Sequence, residues 1–253
     1  MRAFLTTVAG MATRFCADLP QPVPKCIYTA GNPKETLLYR MLTLAKDFDC
    51  LVIAGGFRFD EIRAYVSAQL PPEIQEKILY VNNPAYAEYG SGWTLYLGLK
   101  ALLEHAPDCT EILFAEGDLY YSAGEFAAVA AAEADVLTVC TEPIHAEKAV
   151  ALYYDLSGYP HYIFDTAHGA LEIHEPFRSI YNSAQIWKFR DTGRLRSVMQ
   201  TLGEDAQKGT NLVLINRYMQ LACEAGTPPQ QITLPVWVNT NTAANFRALD
   251  FNA

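Results

Sequence analysis

A loop with the makings of a phosphate site follows the first apolar segment of the chain. Ala3–Val8 has the composition of a strand, and Gly10 and Arg14 come soon after it. Backbone N–H groups in such a loop can surround phosphate oxygens, and arginine adds a planar charged fork that suits phosphate. Lys25 supplies a second cation that a returning loop can bring alongside. Alone, this pattern is equally typical of a tight turn with a solvated arginine.

A second chemical element is the segment Glu116-Gly117-Asp118, which comes directly after an apolar strand. Magnesium in proteins prefers one or two carboxylates, with phosphate oxygens and water completing its octahedron. Asp118 fits that role, although an aspartate in this position is about as often an ordinary turn residue. The position alone leaves both interpretations open.

Two better-known nucleotide motifs do not match this loop. A P-loop would need a Gly-Lys-Ser/Thr run after Gly10, and none follows. The dinucleotide fingerprint fails because Ala12 and Phe15 occupy its later glycine positions, and the second strand ends in Gly55-Gly56 rather than an acid.

Composition limits the classes of partner. The chain has 253 residues and a net charge of −9, without a basic stripe, which argues against nucleic-acid binding. Its six cysteines are widely spaced and contain no CxxC pair, so they are interpreted as buried thiols in a reducing compartment. No apolar run is long enough for a membrane span, and we expect a cytoplasmic protein.

Strand-like and helix-like patterns alternate over the first 140 residues. The predicted strands are Ala3–Val8, Leu51–Ala54, Lys77–Val81, Glu111–Ala115 and Val136–Cys140. The predicted helices are Lys34–Ala45, Asp60–Leu70 with Asp60 as N-cap, Trp93–His105 and Gly124–Ala134. This order predicts an α/β fold with three layers and a mostly parallel, twisted sheet. Ligands of such sheets bind beyond the carboxyl ends of the strands, where both chemical elements lie.

The second half has a different pattern. Antiparallel strands are predicted at Val150–Tyr154 and Pro160–Phe164, a further strand at Ser183–Phe189, and helices at Leu195–Leu202 and Leu212–Cys223. We therefore expect a single domain over residues 1–253. Residues 1–142 form its nucleotide-binding half, and residues 143–253 form an antiparallel C-terminal extension with the acceptor lobe and a closing strand.

Taken in order, the motifs resemble one family. The loop from Gly10 to Phe15, Asp18-Leu19-Pro20, Lys25, Gly90-Ser91-Gly92 at a helix start and Gly117-Asp118 after a strand are similar to the sugar-phosphate and choline-phosphate nucleotidyltransferases. Val236–Thr242 is similar to that family's closing strand and turn, in which an acid or amide, here Asn239, gives a second contact to magnesium. The resemblance covers nearly the whole chain and implies the nucleotide-diphospho-sugar transferase fold.

The resemblance also implies roles for individual residues. It makes Arg14, Lys25 and Asp118 catalytic, with Mg²⁺ as cofactor held by Asp118 and Asn239. The implied nucleotide-binding residues are Val8, Ala9, Gly10, Met11, Ala12, Thr13, Arg14, Gly90, Ser91 and Gly92. The expected acceptor-binding residues are Tyr120, Tyr121, Lys148, Trp187 and Trp237. Aromatic faces attract quaternary ammonium groups, although aromatic residues in strands more often serve sheet packing.

The implied reaction is magnesium-dependent transfer of a nucleotidyl group from a nucleoside triphosphate, with CTP favoured, to a phosphorylated or phosphonylated small acceptor such as a phosphocholine-like headgroup. Pyrophosphate leaves, and the resemblance allows for a homodimer. Three alternatives stay open: a sugar-1-phosphate acceptor with UTP, dTTP or GTP, a weakened homologue that senses nucleotide, and a glycosyltransferase. Amides at Asn239 and Asn245 motivate the sensor, and the glycosyltransferase would need an Asp-x-Asp motif that Glu116-Gly117-Asp118 matches imperfectly.

Overall fold

The computed structural model describes residues 1–17, 19–145, 150–163 and 171–251. In these residues, nine strands form one sheet and two more form a separate ribbon. The sheet strands are β1 Arg2–Val8, β2 Cys50–Gly55, β3 Ile78–Asn82, β4 Glu111–Glu116, β6 Val136–Cys140, β7 Ala151–Asp155, β8 Pro160–Tyr162, β9 Phe177–Phe189 and β10 Gln230–Leu234. The ribbon strands are β5 Leu119–Tyr121 and β11 Trp237–Asn239.

The strand order is β10-β6-β9-β4-β1-β2-β3, with the hairpin of β7 and β8 attached to β9. The neighbours of β1 are parallel to it, as are β2 with β3 and β10 with β6. Within this order, β9 runs against the other strands, and it pairs with β4 on one side and β6 on the other. Strand β8 of the attached hairpin runs in the same direction as β9. The predicted mostly parallel α/β sheet with an antiparallel extension is confirmed.

Helices cover both faces of the sheet and make three layers. They are α1 Thr13–Cys16, α2 Leu37–Leu44, α3 Phe59–Gln69, α4 Pro72–Gln75, α5 Ser91–His105, α6 Ala123–Ala131, α7 Thr192–Thr201, α8 Glu204–Lys208, α9 Leu212–Glu224 and α10 Ala243–Arg247. One apolar core joins the sheet to α2, α3 and α6. A second core joins the opposite face to α5, α7 and α9. Burial of these two faces holds the strand ends, and hence the loops, in fixed positions.

Helix starts differ from the predicted ones for local reasons. Helix α2 begins at Leu37 rather than Lys34, because the Thr36 side chain caps it by accepting a hydrogen bond from the Tyr39 N–H. Helix α3 begins at Phe59, after Arg58, so Asp60 lies in its first turn and is not the N-cap. An acidic residue in the first turn still stabilises the helix, because it interacts favourably with the positive end of the helix dipole.

The ribbon of β5 and β11 lies beside the carboxyl end of the sheet. Asn239 pairs with Leu119, and Thr240 donates hydrogen bonds from its N–H and its hydroxyl to the Asp118 carbonyl. A small third core of Phe15, Tyr120 and Phe246, among others, fixes α1 and α10 against this ribbon. The predicted closing strand therefore returns to the segment that follows β4.

The six cysteines are free thiols. Among the described residues, none of the helices combines the length and the apolar character that crossing a lipid bilayer requires.

Candidate active site

A cleft of about 250 Å³ opens at the carboxyl ends of β1 and β4. Two polar faces meet in it: the loop after β1 on one side, and the segment after β4 with Lys25 on the other. Its lining residues are Thr7, Val8, Ala9, Gly10, Ala12, Lys25, Cys26, Tyr86, Tyr89, Gly90, Ser91, Thr94, Glu116, Gly117 and Asp118. The cleft thus brings together most of the predicted phosphate loop, the helix-start turn and the carboxylate segment.

The loop after β1 lines the cleft with its backbone. A side chain at Gly10 would meet no atom within 4 Å, so the glycine leaves open space in front of this loop. Ala12 has a φ of 52° and a ψ of 37°, the left-handed conformation that favours glycine. Ala12 lines the cleft. The side chains of Met11 and Thr13 are exposed and are not part of the cleft wall.

The segment after β4 is pressed against the end of β1. A Cβ at Gly117 would come within 2.4 Å of Val8 Cγ1 and 2.6 Å of the Thr7 carbonyl oxygen. The Gly117 N–H also donates a 3.0 Å hydrogen bond to that carbonyl. Only glycine permits this approach, and the approach sets the position of Asp118.

Replacing Gly117 with alanine is therefore expected to displace the Asp118 segment from β1. We expect a loss of about 1–3 kcal/mol in the free energy of unfolding, because the clashing partner is backbone. Any ligand-dependent activity should fall by a factor of about 100, since a shift of about 1 Å in a reacting group has that effect. Chemical denaturation and turnover measure the two losses. Gly124→Ala is the matched control, because its Cβ would lie 4.0 Å from the nearest atom; equal losses in both variants would contradict the prediction.

Lys25 and Asp118 form a close ion pair inside the cleft. Lys25 Nζ lies 2.8 Å from Asp118 Oδ2, and both side chains are mostly buried. Lys25 begins a short 3-10 helix, Lys25–Ile27, that follows the proline-rich loop. The structure therefore joins two of the three predicted catalytic residues, which lie 93 positions apart in the sequence.

One buried oxygen of this pair, and one of Asn239, lack hydrogen-bond partners among the described residues. Among the described residues, nothing donates to Asp118 Oδ1 or to Asn239 Oδ1. The β5–β11 register places Asn239 opposite Leu119, next to Asp118 in the chain. A buried acceptor without a donor is costly, and a bound cation is one way to satisfy it. A carboxylate and an amide oxygen are ligands that suit Mg²⁺, so the chemistry of both residues is compatible with the ion, although Asp118 lines the cleft and Asn239 does not.

Glu116 is a second carboxyl group in the cleft. Asn211 Nδ2 donates a 2.7 Å hydrogen bond to Glu116 Oε1. Burial, with the charge of Asp118, raises the pKa of Glu116 to about 7, against the opposing effects of Asn211 and Lys25. The sequence motifs gave Glu116 no role, and its position at the end of a buried strand was the available signal.

Five other residues of the cleft wall were not predicted: Thr7, Cys26, Tyr86, Tyr89 and Thr94. Tyr86 and Tyr89 precede the Gly90-Ser91-Gly92 turn, and their half-buried rings line the cleft. Gly56 makes room for Tyr86, because a Cβ there would come within 2.5 Å of Tyr86 Cβ. Burial raises the pKa of the Cys26 thiol to about 12, so this cysteine stays protonated and is not a nucleophile.

The Gly90-Ser91-Gly92 turn has a structural duty in addition to lining the cleft. A Cβ at Gly90 would lie 2.3 Å from the Gly209 carbonyl oxygen, and one at Gly92 would lie 2.8 Å from that of Gln207. These glycines therefore leave room for the backbone at the end of α8 and directly after it. Gly90 and Ser91 line the cleft, whereas Gly92 does not.

Arg14 lies on the exposed side of α1 and outside the cleft wall. Its Nη2 donates a 3.2 Å hydrogen bond to Asn241 Oδ1 on the closing turn. The structure thus places it near the predicted loop but apart from the Lys25–Asp118 pair. Asn245, the other amide of the closing segment, accepts hydrogen bonds from the Thr242 N–H and hydroxyl, and so completes the capping box of α10.

The predicted aromatic acceptor site is corrected by the structure. Tyr120, Tyr121, Trp187 and Trp237 are all at least 94% buried and do not line the cleft. The hydroxyl of Tyr120 donates to the Asp250 carbonyl, and the two indole N–H groups donate to Tyr162 and Ala184. Their rings pack in the cores, so they offer no free face to a ligand. Lys148 lies outside the described residues.

Comparison with solved structures supports the fold assignment. The chain matches the inositol-1-phosphate CTP transferase from T. maritima with a TM-score of 0.66, at 14% identity, over 100% of this chain and 93% of that one. It matches the CTP:phosphocholine cytidylyltransferase from Streptococcus pneumoniae with a TM-score of 0.59, at 10% identity, over 97% and 96% of the two chains. HddC from Yersinia pseudotuberculosis, complexed with GMP-PN, gives 0.60 at 12% identity over 98% and 97%.

The predicted resemblance to nucleotidyltransferases is thereby confirmed at the level of the fold. No protein with a curated description matches the sequence. The sequence does match one family model, "Domain of unknown function (DUF6564)", over residues 21–252. Since this match spans most of the chain, including Lys25, the carboxylate segment and the closing strand, the protein belongs to the DUF6564 family.

Proposed function

We propose that the protein is a nucleotidyltransferase that moves a nucleoside monophosphate unit from a triphosphate to a small phosphorylated acceptor. The observation that carries this proposal is the Lys25–Asp118 pair in the cleft, accompanied by the unpartnered oxygens of Asp118 and Asn239. Lysine supplies a point charge for phosphate, and the two oxygens suit magnesium. The nucleotidyltransferase fold of the compared structures is consistent with this chemistry.

In the proposed reaction, an oxygen of the acceptor phosphate forms a new bond to the α-phosphorus. The bond between that phosphorus and the β-bridging oxygen breaks, and pyrophosphate leaves with the electron pair. The attacking oxygen is already anionic, so no side chain has to remove a proton. Catalysis then depends on alignment and on neutralising charge around the α-phosphorus.

The residues of the cleft divide this work. Lys25 would leave Asp118 and neutralise charge near the α-phosphate and the acceptor. Asp118 and Asn239 would hold Mg²⁺, which when bound stabilises negative charge on the phosphates. Ala9, Gly10 and Ser91, which line the cleft, would face the base and ribose. Arg14 would bind the β- and γ-phosphates from α1 at the edge of the loop.

For the substrates, we favour CTP and a phosphocholine-like acceptor. Two of the compared structures carry CTP in their names, one with inositol-1-phosphate and one with phosphocholine. A sugar-1-phosphate with UTP, dTTP or GTP is the second choice within the same reaction class.

A nucleotide sensor without turnover is the second candidate function. Two observations favour it: Asp118 forms an ion pair with Lys25, and residue 239 is an uncharged amide rather than an acid. An amide oxygen binds magnesium without contributing charge, so the metal would be held more weakly than by two acids.

The deciding experiment is a pyrophosphate-release assay with CTP, UTP, dTTP and GTP and magnesium. Each triphosphate is tested alone and with phosphocholine, aminoethylphosphonate or a sugar-1-phosphate. We expect release only with a matched pair, and omission of the acceptor is the control. Triphosphate binding by calorimetry without release in any pair would refute the transferase and support the sensor.

A further inference from the structure

Glu116 is the charged residue of the cleft that the proposed mechanism leaves without a task. It ends β4, in register with Thr7 at the end of β1, and lines the cleft with Asp118. Within the part of the chain that the structure describes, no Lys, Arg or His side chain forms an ion pair with it. A carboxylate in a site that must also accept phosphates is unfavourable unless a ligand brings positive charge to it.

The position of this carboxyl group is fixed by a hydrogen bond from Asn211. Asn211 is 2% exposed, and its Nδ2 lies 2.7 Å from Glu116 Oε1. Its own N–H donates a 3.1 Å hydrogen bond to Ser91 Oγ, at the start of α5. The starts of α5 and α9 therefore fix one oxygen of Glu116, while the second oxygen accepts no hydrogen bond from the described residues.

The charges around Glu116 favour a cation. The charged side chains of the cleft wall are Lys25, Glu116 and Asp118, and Lys25 is already paired with Asp118. The half-buried ring of Tyr86 lines the same cleft, and an aromatic face adds attraction for an ammonium group. An acidic group and an aromatic ring thus line the same cleft as the Lys25–Asp118 pair.

We propose that Glu116 receives the positively charged nitrogen of the acceptor. The acceptor class is then a phosphate or phosphonate of a short amino alcohol or alkylamine, with its nitrogen a few bonds from phosphorus. This inference rests on the proposed function, because the acceptor phosphate has to reach the α-phosphorus beside Lys25 and Asp118. The nitrogen takes no part in bond making, and Glu116 acts on substrate selection.

The test compares a charged acceptor with its neutral isostere. Phosphocholine and 3,3-dimethylbutyl phosphate have nearly the same shape, but only the first carries a positive charge. We expect the wild-type protein to prefer phosphocholine by a factor of about 10 or more in kcat/KM, the effect of about 1.4 kcal/mol. In Glu116→Gln, which keeps an acceptor for Asn211, the two compounds should differ by less than about threefold.

Two controls separate this role from others. Glu88→Gln removes one negative charge from an exposed position in the loop that carries Tyr86 and Tyr89, and it should keep the wild-type preference. The KM for the triphosphate and the magnesium concentration for half-maximal rate should stay unchanged in Glu116→Gln. A changed magnesium requirement or triphosphate KM, with the acceptor preference intact, would overturn the inference and assign Glu116 to the metal or the nucleotide.

Calorimetry decides the inference independently of turnover. Phosphocholine is titrated into wild-type protein and Glu116→Gln, with and without CTP, in the presence of EDTA. Binding that the substitution weakens about tenfold supports the role of Glu116, even if no pyrophosphate is released and the transferase proposal fails. Equal binding of phosphocholine by the two proteins, or no binding of phosphocholine by the wild type, would overturn the inference even if other acceptors are turned over.

Discussion

Replacement of Asp118 with asparagine is expected to lower the rate of pyrophosphate release by a factor of about 100 to 1,000. Asp118 is proposed to hold magnesium with an oxygen that is buried and has no donor among the described residues. An amide of the same shape keeps an oxygen but loses the charge that binds the ion and counters Lys25. The magnesium concentration for half-maximal rate should therefore rise as the maximal rate falls, and a magnesium titration of turnover measures both.

The matched control for this variant is Asp47→Asn, the same chemical change at an exposed position. It should retain full activity. Thermal unfolding of Asp118→Asn shows whether the fold survives the loss of the ion pair with Lys25. A folded Asp118→Asn protein with full activity and an unchanged magnesium requirement would exclude Asp118 from the metal site.

The second large effect concerns stability and lies at the other end of the sheet. Lys188 on β9 has a side chain only 2% exposed, and its Nζ lies 3.2 Å from Glu111 Oε2 at the start of β4. That ammonium group also donates to the carbonyl oxygens of Ala130 and Ala132. Glu111→Ala should lower the free energy of unfolding by about 3–5 kcal/mol, because it leaves a buried charge without a counterion. Denaturant titration at neutral pH measures the loss.

The pH dependence of this loss has a defined sign. Burial raises the pKa of Glu111, but the hydrogen bond from Arg2 Nε and the charge of Lys188 outweigh it and hold the pKa below its usual range. A depressed folded pKa gives stabilisation that is complete above the ordinary value of about 4.3 and is lost as pH falls through the folded pKa. The difference between wild type and Glu111→Ala should thus be constant near neutrality and shrink in strong acid.

An exposed ion pair supplies the comparison for Glu111. Arg217 and Glu224 on α9 lie 3.1 Å apart, with side chains about half exposed. Glu224→Ala should cost less than about 1 kcal/mol, since solvent screens such pairs. If the two alanine variants lost equal stability, the cluster around Lys188 would not be a buried electrostatic anchor.

Sequence periodicity predicted the strands of the first half and the longer helices, because each of these elements carries its own signal. It missed the edge strand β10, Gln230–Leu234. Val136–Cys140 is a strand within the predicted bounds, and α5 and α9 start within two residues of prediction. The order of the motifs, which resembles that of the nucleotidyltransferases, predicted that the β1 loop, Lys25 and Asp118 lie at one end of the sheet. These features depend on local pattern and on the rule that parallel strands end at the same edge.

The acceptor residues could not be predicted in the same way, because the burial of a ring depends on what packs against its strand. Tyr120 and Tyr121 point to opposite faces of β5, and a separate core covers each face. Trp187 stacks on Phe114 within the main sheet, at 5.2 Å between ring centroids. The hydrogen bond between Arg14 and Asn241 could not be predicted for a related reason, because the two residues are 227 positions apart in the sequence.

The position of β9 constrains how the chain can reach this structure during synthesis. A nascent chain that ends before residue 177 contains β4 and β6, but the strand that belongs between them has not yet been made. Until then, both strands expose unpaired edges, and the pocket has its carboxylate segment without Asn211 or Asn239. Completion of the sheet therefore depends on residues 177–189, which are synthesised after both strands that they join.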